Sequence, residues 1–219
     1  ADLTPSENDD IDNATVIDSI PFTQMTDTSF ATSAEDDPIF PCGSFDSGSE
    51  SVWYQLTPDV DGLLEADTFG SNYDTMIALW TGTRGSLENV ACNDQYGGNQ
   101  SKITAQVQAG VLYYLEITDY VAIASEDESQ ATDRGEEPSL NGGLLNLSVD
   151  LTEIVPVEND DFDAAVGITT FPFTDSRSTV FATTASDDPI FPCGSYDTGS
   201  ESIWYVFTLD ADSTLQANT

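Results

Sequence analysis

The residues of this chain that could do chemistry are above all carboxylates, and two acidic runs combine them with asparagine. The first run contains Glu7, Asn8, Asp9, Asp10 and Asp12, and the second contains Glu158, Asn159, Asp160, Asp161 and Asp163. Calcium is a hard cation that takes about six to eight oxygen ligands, and these side chains supply such oxygens. Both runs are therefore candidate calcium sites. Tight turns and backbone capping are the alternative role of the same residues.

The composition gives little support for a catalytic site. The chain has 40 Asp and Glu, 4 Lys and Arg, and no histidine, so neither a Ser-His-Asp site nor a His-ligated metal centre can form. The single lysine, Lys102, falls on the polar face of a predicted strand and is a poor Schiff-base candidate. Carboxylate pairs could serve a glycosidase, but among 40 acids some pair lies at any chosen distance. We predict no catalytic residues and no enzyme.

The formal charge of −36 limits the possible partners. Such a field repels nucleic acid and anionic lipid surfaces. We therefore expect no nucleic-acid partner. No stretch approaches 18 apolar residues, so we also expect no membrane insertion. A solvated acidic surface that maintains solubility is the simpler reading of the same charge.

Three cysteines, Cys42, Cys92 and Cys193, indicate the compartment. The spacing matches no common zinc pattern. Cys42 and Cys193 occupy the same position in two copies of a repeat, so the odd count is explained if each whole unit holds one disulfide. We predict a Cys42–Cys92 disulfide, an unpaired Cys193 in this chain and an extracellular location. Three buried free thiols remain the alternative.

A repeat with an offset of 151 residues organises the chain. Residues 1–68 and 152–219 align without a gap and are identical at 38 of 68 positions. We predict a whole unit at 1–151, opened by an acidic linker at 1–10, and the first part of a second unit at 152–219. Only residues 152–158 separate the last predicted strand of the first unit from the second unit, and so short a linker should hold successive units close. The expectation is a segment of a longer tandem chain, with completion of unit two by a neighbour as the alternative.

Short apolar runs separated by turn residues predict an all-β chain. Clear alternation marks 102–108 and 144–151 as half-buried strands, whereas 75–80 is apolar on both faces, as in a central strand. Further strands are predicted at 14–20, 30–32, 51–57, 63–68, 89–92 and 111–118, and an acidic loop at 126–137. The pattern favours an antiparallel β-sandwich.

The order of several motifs resembles the bacterial pre-peptidase C-terminal domain. These motifs are Asn8-Asp9-Asp10-x-Asp12, Ser51-Val52-Trp53-Tyr54-Gln55-Leu56-Thr57, Ala66-Asp67-Thr68-Phe69-Gly70-Ser71-Asn72-Tyr73-Asp74-Thr75, Leu79-Trp80-Thr81-Gly82, Ala91-Cys92-Asn93-Asp94 and Ala109-Gly110-Val111-Leu112-Tyr113-Tyr114-Leu115. The resemblance implies a jelly-roll-like sandwich that is non-catalytic and is attached to secreted hydrolases or strung along surface proteins. Some calcium-binding relatives carry Asp-x-x-Asp before the aromatic pair, where this chain has Ser49-Glu50-Ser51-Val52.

Three functions follow in order of preference. The first is an extracellular structural protein, a tandem array of sandwiches in a fibre or stalk whose partners are copies of itself or further repeats of the same chain. The second is a non-catalytic binding module of a secreted hydrolase or adhesin, and the third is an enzyme. Candidate glycosylation sequons begin at Asn13, Asn99 and Asn146.

Overall fold

A computed structural model describes residues 4–43, 50–120, 142–155, 157–183, 189 and 202–219 of the chain. It divides into two compact units, Ala1–Glu153 and Ile154–Thr219. Within the described ranges no helix is long and apolar enough to cross a membrane.

The described part of the first unit contains nine strands and one short 3₁₀ helix, Ile11–Asn13. The strands are β1 Thr15–Val16, β2 Phe22–Asp27, β3 Val52–Leu56, β4 Gly62–Asp67, β5 Thr75–Thr83, β6 Ser86–Asn93, β7 Lys102–Val107, β8 Tyr113–Asp119 and β9 Leu144–Glu153.

The nine strands form two sheets. One has the order β1-β3-β8-β5-β6 and the other has the order β2-β9-β4-β7. All pairings are antiparallel except β1 with β3, where Thr15 lies opposite Tyr54 in a parallel register. The predicted all-β sandwich is confirmed, with this parallel pair at one edge as an addition that the sequence did not indicate.

The main core lies between the two sheets and follows the alternation of the strands. Leu145, Leu147 and Val149 of β9 are fully buried, and Leu64 and Ala66 of β4 face the same interior. Residues between them point outwards, as period-2 geometry requires. Because this alternation is regular in β7 and β9, both strands appear where the sequence predicts them.

A second apolar cluster covers the outer face of the five-stranded sheet. Trp53, Met76, Ala78 and Trp80 are buried there under Ile11, Ala14 and Phe40 from segments outside the sheet. Phe40 meets Trp80 edge-on with ring centroids 6.1 Å apart. The sheet is thus covered on both faces, which is why β5 is buried continuously from Thr75 to Trp80.

Near the N-terminus one strand prediction is wrong and another is confirmed only in part. Residues 30–32 form no strand, and the predicted strand at 14–20 shrinks to β1. The strand β2, which no prediction included, pairs with β9 at the sheet edge. Its inward residues are Phe22, Gln24 and Thr26, a mostly polar set that gives no apolar alternation.

The described part of the second unit has a 3₁₀ helix, Phe162–Ala164, and two short strands, β10 Val166–Ile168 and β11 Tyr205–Phe207. These strands pair in parallel with Val166 opposite Tyr205, the same register as β1 and β3 displaced by 151 residues. Cys193, most of the second Pro-Cys-Gly segment, and the predicted acidic loop at 126–137 lie outside the described residues.

Candidate functional site: the acidic segment on the five-stranded sheet

The first acidic run lies along β3, and Asn8 holds it there. The side-chain Nδ2 of Asn8 donates to the carbonyl oxygen of Trp53 at 2.9 Å, and the backbone N–H of Trp53 donates to the carbonyl oxygen of Asn8 at 2.8 Å. Asn8 is 4% exposed, so its amide is a buried group that has a partner. Asn8, a predicted calcium ligand, therefore attaches the acidic run to β3.

The next two residues complete the docking. Both carboxylate oxygens of Asp9 accept from Thr32, one from its backbone N–H and the other from its hydroxyl at 2.8 Å. Asp10 caps the first 3₁₀ helix by accepting from the N–H of Asp12 at 2.9 Å. That helix points Ile11 into the second apolar cluster, so the polar contacts also position an apolar anchor.

Arg84 joins this segment to the rest of the unit. Its Nη1 lies 2.7 Å from Asp10 Oδ1 and 2.9 Å from Asp12 Oδ2. Its Nε and Nη2 reach the two oxygens of Asp36 at 2.7 and 2.8 Å. Hydrogen bonds from the guanidinium lower the pKa of Asp10 and of Asp36, and they raise the pKa of Arg84.

The second acidic run makes the same contacts in the second unit. Asn159 Nδ2 donates to the carbonyl oxygen of Trp204 at 2.9 Å, and Trp204 N–H returns a bond to Asn159 at 2.8 Å. Asp160 accepts from the N–H and the hydroxyl of Thr183. Asp161 accepts from Asp163 N–H at 2.7 Å.

Several of the predicted calcium ligands are engaged by other groups of the protein. In the described residues, no three His, Cys, Asp or Glu side chains form a group that could hold a metal ion. The oxygens of Asp9 and Asp10 are already used by backbone, hydroxyl and guanidinium donors. In the second unit, Glu158 pairs with Arg177 at 3.3 Å. Glu7 is exposed, and calcium binding by the two runs stays a prediction.

The Cys42–Cys92 disulfide is present, as predicted. Both cysteines pack against the second apolar cluster and join the Pro-Cys-Gly segment to β6. The bond therefore holds the loop that carries Phe40 against the sheet. Cys193 lies outside the described residues, so its expected free state stays a prediction.

Sequence reasoning missed a buried carboxyl group at Glu116. It is 2% exposed in β8, between Trp53 of β3 and Ala78 of β5, on the face covered by the second cluster. Its Oε2 has no hydrogen-bond partner among the described residues. Burial raises its pKa well above the ordinary value, and the negative Asp37 adds to that rise. The signal in the sequence is weak, because Glu116 shares its face of β8 with Tyr114 and Thr118, a pattern that is typical of a half-exposed strand.

Comparison with known proteins finds similarity to solved structures only. No protein-family model and no curated protein gives a match. A solved structure of the pre-peptidase C-terminal domain of collagenase from Bacillus anthracis is similar, with a TM-score of 0.37 and 13% identity over 63% of this chain and 94% of that chain. It represents the family that the sequence motifs resemble.

Two further solved structures are also similar. The periplasmic inhibitor of g-type lysozyme from Aeromonas hydrophila has a TM-score of 0.34 and 14% identity over 64% of this chain and 96% of that chain. The GH26-CBM35 β-(1,4)-mannanase from Podospora anserina has a TM-score of 0.26 and 11% identity over 64% of this chain and 30% of that chain.

The three sequons differ in their surroundings. Asn13 and Asn99 are exposed. Asn146 is half-buried in β9, and its Nδ2, the atom that would carry a glycan, donates to the carbonyl oxygen of Phe69 at 2.8 Å. Asn13 and Asn99 are therefore the more accessible of the predicted sites.

An aromatic pair stands exposed at the turns that follow β4 and β6. Phe69 is 42% and Tyr96 is 56% exposed, and their ring centroids are 5.9 Å apart. Lys102 Nζ lies 5.9 Å from the Tyr96 ring and 2.8 Å from Glu65 Oε1. We call Phe69, Tyr96 and Lys102 the aromatic patch.

Proposed function

We propose that the chain is a non-catalytic, extracellular structural protein built from tandem β-sandwich units, a segment of a surface fibre, filament or stalk. The observation that carries this proposal is the repetition of one docking device at a fixed interval. Asn8 and Asn159 make the same pair of bonds to Trp53 and Trp204, 151 residues apart. In each unit these bonds attach the first residues to a tryptophan of that same unit, an arrangement that suits a protein made of successive modules.

The connection between the units supports the same proposal. The strand β9 ends at Glu153, and Asn159 is already bonded to Trp204, so few residues separate the two units along the chain. Short connections limit independent movement of neighbouring domains. The partners in this proposal are further repeats of the same chain or copies of it.

The extracellular location rests on covalent chemistry and charge. Disulfides persist in oxidising compartments, and Cys42–Cys92 is such a bond. A charge of −36 keeps chains soluble and apart from anionic surfaces. Neither property requires a catalytic centre. The side chains of the acidic segment bind groups of the same unit and hold the segment against β3.

The test is peptide mapping and intact-mass measurement of the protein isolated from the surface of its source cells. The proposal expects additional peptides that align with residues 1–151 at intervals of about 151 residues. A mature protein in which these units adjoin a catalytic domain would contradict the fibre and support an accessory module.

The aromatic patch favours that accessory or binding module as a second candidate. Exposed Phe and Tyr rings beside a cation are a common recognition surface. The test is co-sedimentation of the chain with insoluble neutral polysaccharides, namely cellulose, chitin and mannan. Binding that is lost in both Phe69→Ala and Tyr96→Ala, but kept in Phe30→Ala, would support this candidate. Phe30 is equally exposed at 42% and lies outside the patch.

A further inference from the structure

Arg84 lies at the tip of the β5–β6 hairpin, and the hairpin brings it to carboxylates that are distant in sequence. Asp10 is 74 residues away and Asp36 is 48 residues away. Thr83 and Ser86 are paired across the hairpin, and the glycines at 82 and 85 have φ angles of 107° and 78°, which only glycine adopts readily. The turn therefore fixes the position from which the arginine reaches out.

All three guanidinium nitrogens of Arg84 donate to carboxylate oxygens. Nε and Nη2 bond the two oxygens of Asp36, while Nη1 and Nη2 bond the two oxygens of Asp10 at 2.7 and 3.2 Å. Two bidentate carboxylate pairs are the geometry in which arginine binds best and which lysine cannot reproduce. Asp12 adds a third negative charge at 2.9 Å.

A divalent ion would need the same oxygens. Calcium must collect about six to eight oxygen ligands, and the carboxylates that converge here already surround a positive charge. A second cation placed beside the guanidinium would be repelled by it. The resemblance of the sequence to calcium-binding relatives and the contacts of Arg84 thus lead to opposite expectations for this segment.

We propose that the guanidinium of Arg84 is a built-in cation that docks the acidic segment on the sandwich, and that this docking needs no metal ion. Arg84 links three parts of the first unit. Its own β5–β6 hairpin is joined to Asp10 and Asp12 of the acidic segment and to Asp36 of the loop that precedes Cys42. Arg84 is a positioning residue for the segment that runs from Asn8 to Ala14.

Hydrogen–deuterium exchange of the whole chain tests the proposal. The reporter amides are those of Asn13, Ala14 and Trp53, which donate to Asp10, Ile11 and Asn8. The variants are Arg84→Gln and Arg84→Lys. The matched control is Arg177→Gln, which removes an arginine that pairs with Glu158 and Asp175 in the second unit. Each protein is measured with calcium and with a chelator.

Exchange of the reporter amides is expected to rise roughly threefold to tenfold in Arg84→Gln, in line with the loss of several surface ion pairs. The rise in Arg84→Lys should be smaller, and Arg177→Gln should leave these amides unchanged. The chain with Arg84 intact should exchange at the same rate with calcium and with chelator. Faster exchange in chelator, or unchanged exchange in Arg84→Gln, would overturn the proposal.

Discussion

Asn8 and Trp53 exchange two hydrogen bonds, side chain to backbone at 2.9 Å and backbone to backbone at 2.8 Å. The pair lies on the edge of β3 along which β1 also pairs, and the Asn8 amide occupies the place of a neighbouring backbone group. The N-terminal segment is thereby part of the fold and not a tether.

Replacing Asn8 by Ala should lower the free energy of unfolding by about 1–3 kcal/mol, because the Trp53 carbonyl would be left buried without its donor. Chemical denaturation of the whole chain, followed by the fluorescence of its tryptophans, measures this loss. Asn13→Ala is the matched control, since Asn13 is exposed and the second unit carries Ala164 at that position. Equal stabilities of the two variants would contradict the structural role of Asn8.

Removal of the disulfide with Cys42→Ser and Cys92→Ser together should destabilise the first unit by about 3–4 kcal/mol, since the bond closes a loop with a separation of 50 residues. The measurement is urea unfolding under non-reducing conditions. Cys193→Ser serves as the control and should leave the first unit unchanged. A stability loss in the control as large as in the double variant would argue for a different pairing.

Glu116→Gln should raise the thermal midpoint by a few degrees at neutral and alkaline pH. The folded state raises the pKa of Glu116, so it binds the proton more tightly than the unfolded state does. The stabilisation is complete below the unfolded pKa near 4.5 and is lost as the pH rises through the folded value. The neutral glutamine avoids that loss.

The measurement for Glu116 is a series of thermal scans between acidic and alkaline pH. Glu88→Gln, at an exposed position of β6, controls for the removal of one negative charge. The difference between the two variants should vanish at low pH and grow as the pH rises. A constant difference at every pH would mean that ionisation of Glu116 is not the cause.

Gly142→Ala should destabilise the first unit strongly. The φ angle of Gly142 is 69°, and a Cβ atom there would come within 2.6 Å of the backbone oxygen of Thr28. Gly110→Ala is the control, because Gly110 has a φ angle of 75° and open space around it. The control should cost only the backbone strain of a left-handed alanine, about 1–2 kcal/mol. Comparable denaturation midpoints for both variants would show that the contact with Thr28 relaxes.

The elements that the sequence predicts well are those in which burial and local pattern agree. In β7, Ile103, Ala105 and Val107 are buried and their neighbours are not, so one period describes both sequence and structure. The strand β2 forms because it pairs with β9, which is distant in the sequence. Its inward residues Gln24 and Thr26 are polar, so the local sequence shows no apolar alternation that would predict a strand.

The contacts of the acidic segment were beyond prediction for a different reason. The composition of residues 7–12 is equally compatible with a metal shell and with backbone capping. The choice depends on Arg84, which reaches Asp10 only because the fold brings a hairpin 74 residues away to the same place. Glu116 is similar, since its burial depends on the cover that Ile11 and Phe40 give to the sheet.

The disulfide also sets how far a unit could stretch under tension. If a chain of such units were pulled from its ends, the residues between Cys42 and Cys92 would stay enclosed in a covalent loop and could not lengthen. A separation of 50 residues, at about 3.4 Å for each extended residue, withholds roughly 170 Å from every unit that unfolds. Three whole strands, β3 to β5, and β6 as far as Cys92 lie within this loop. A unit under tension would therefore unfold only in its remaining segments.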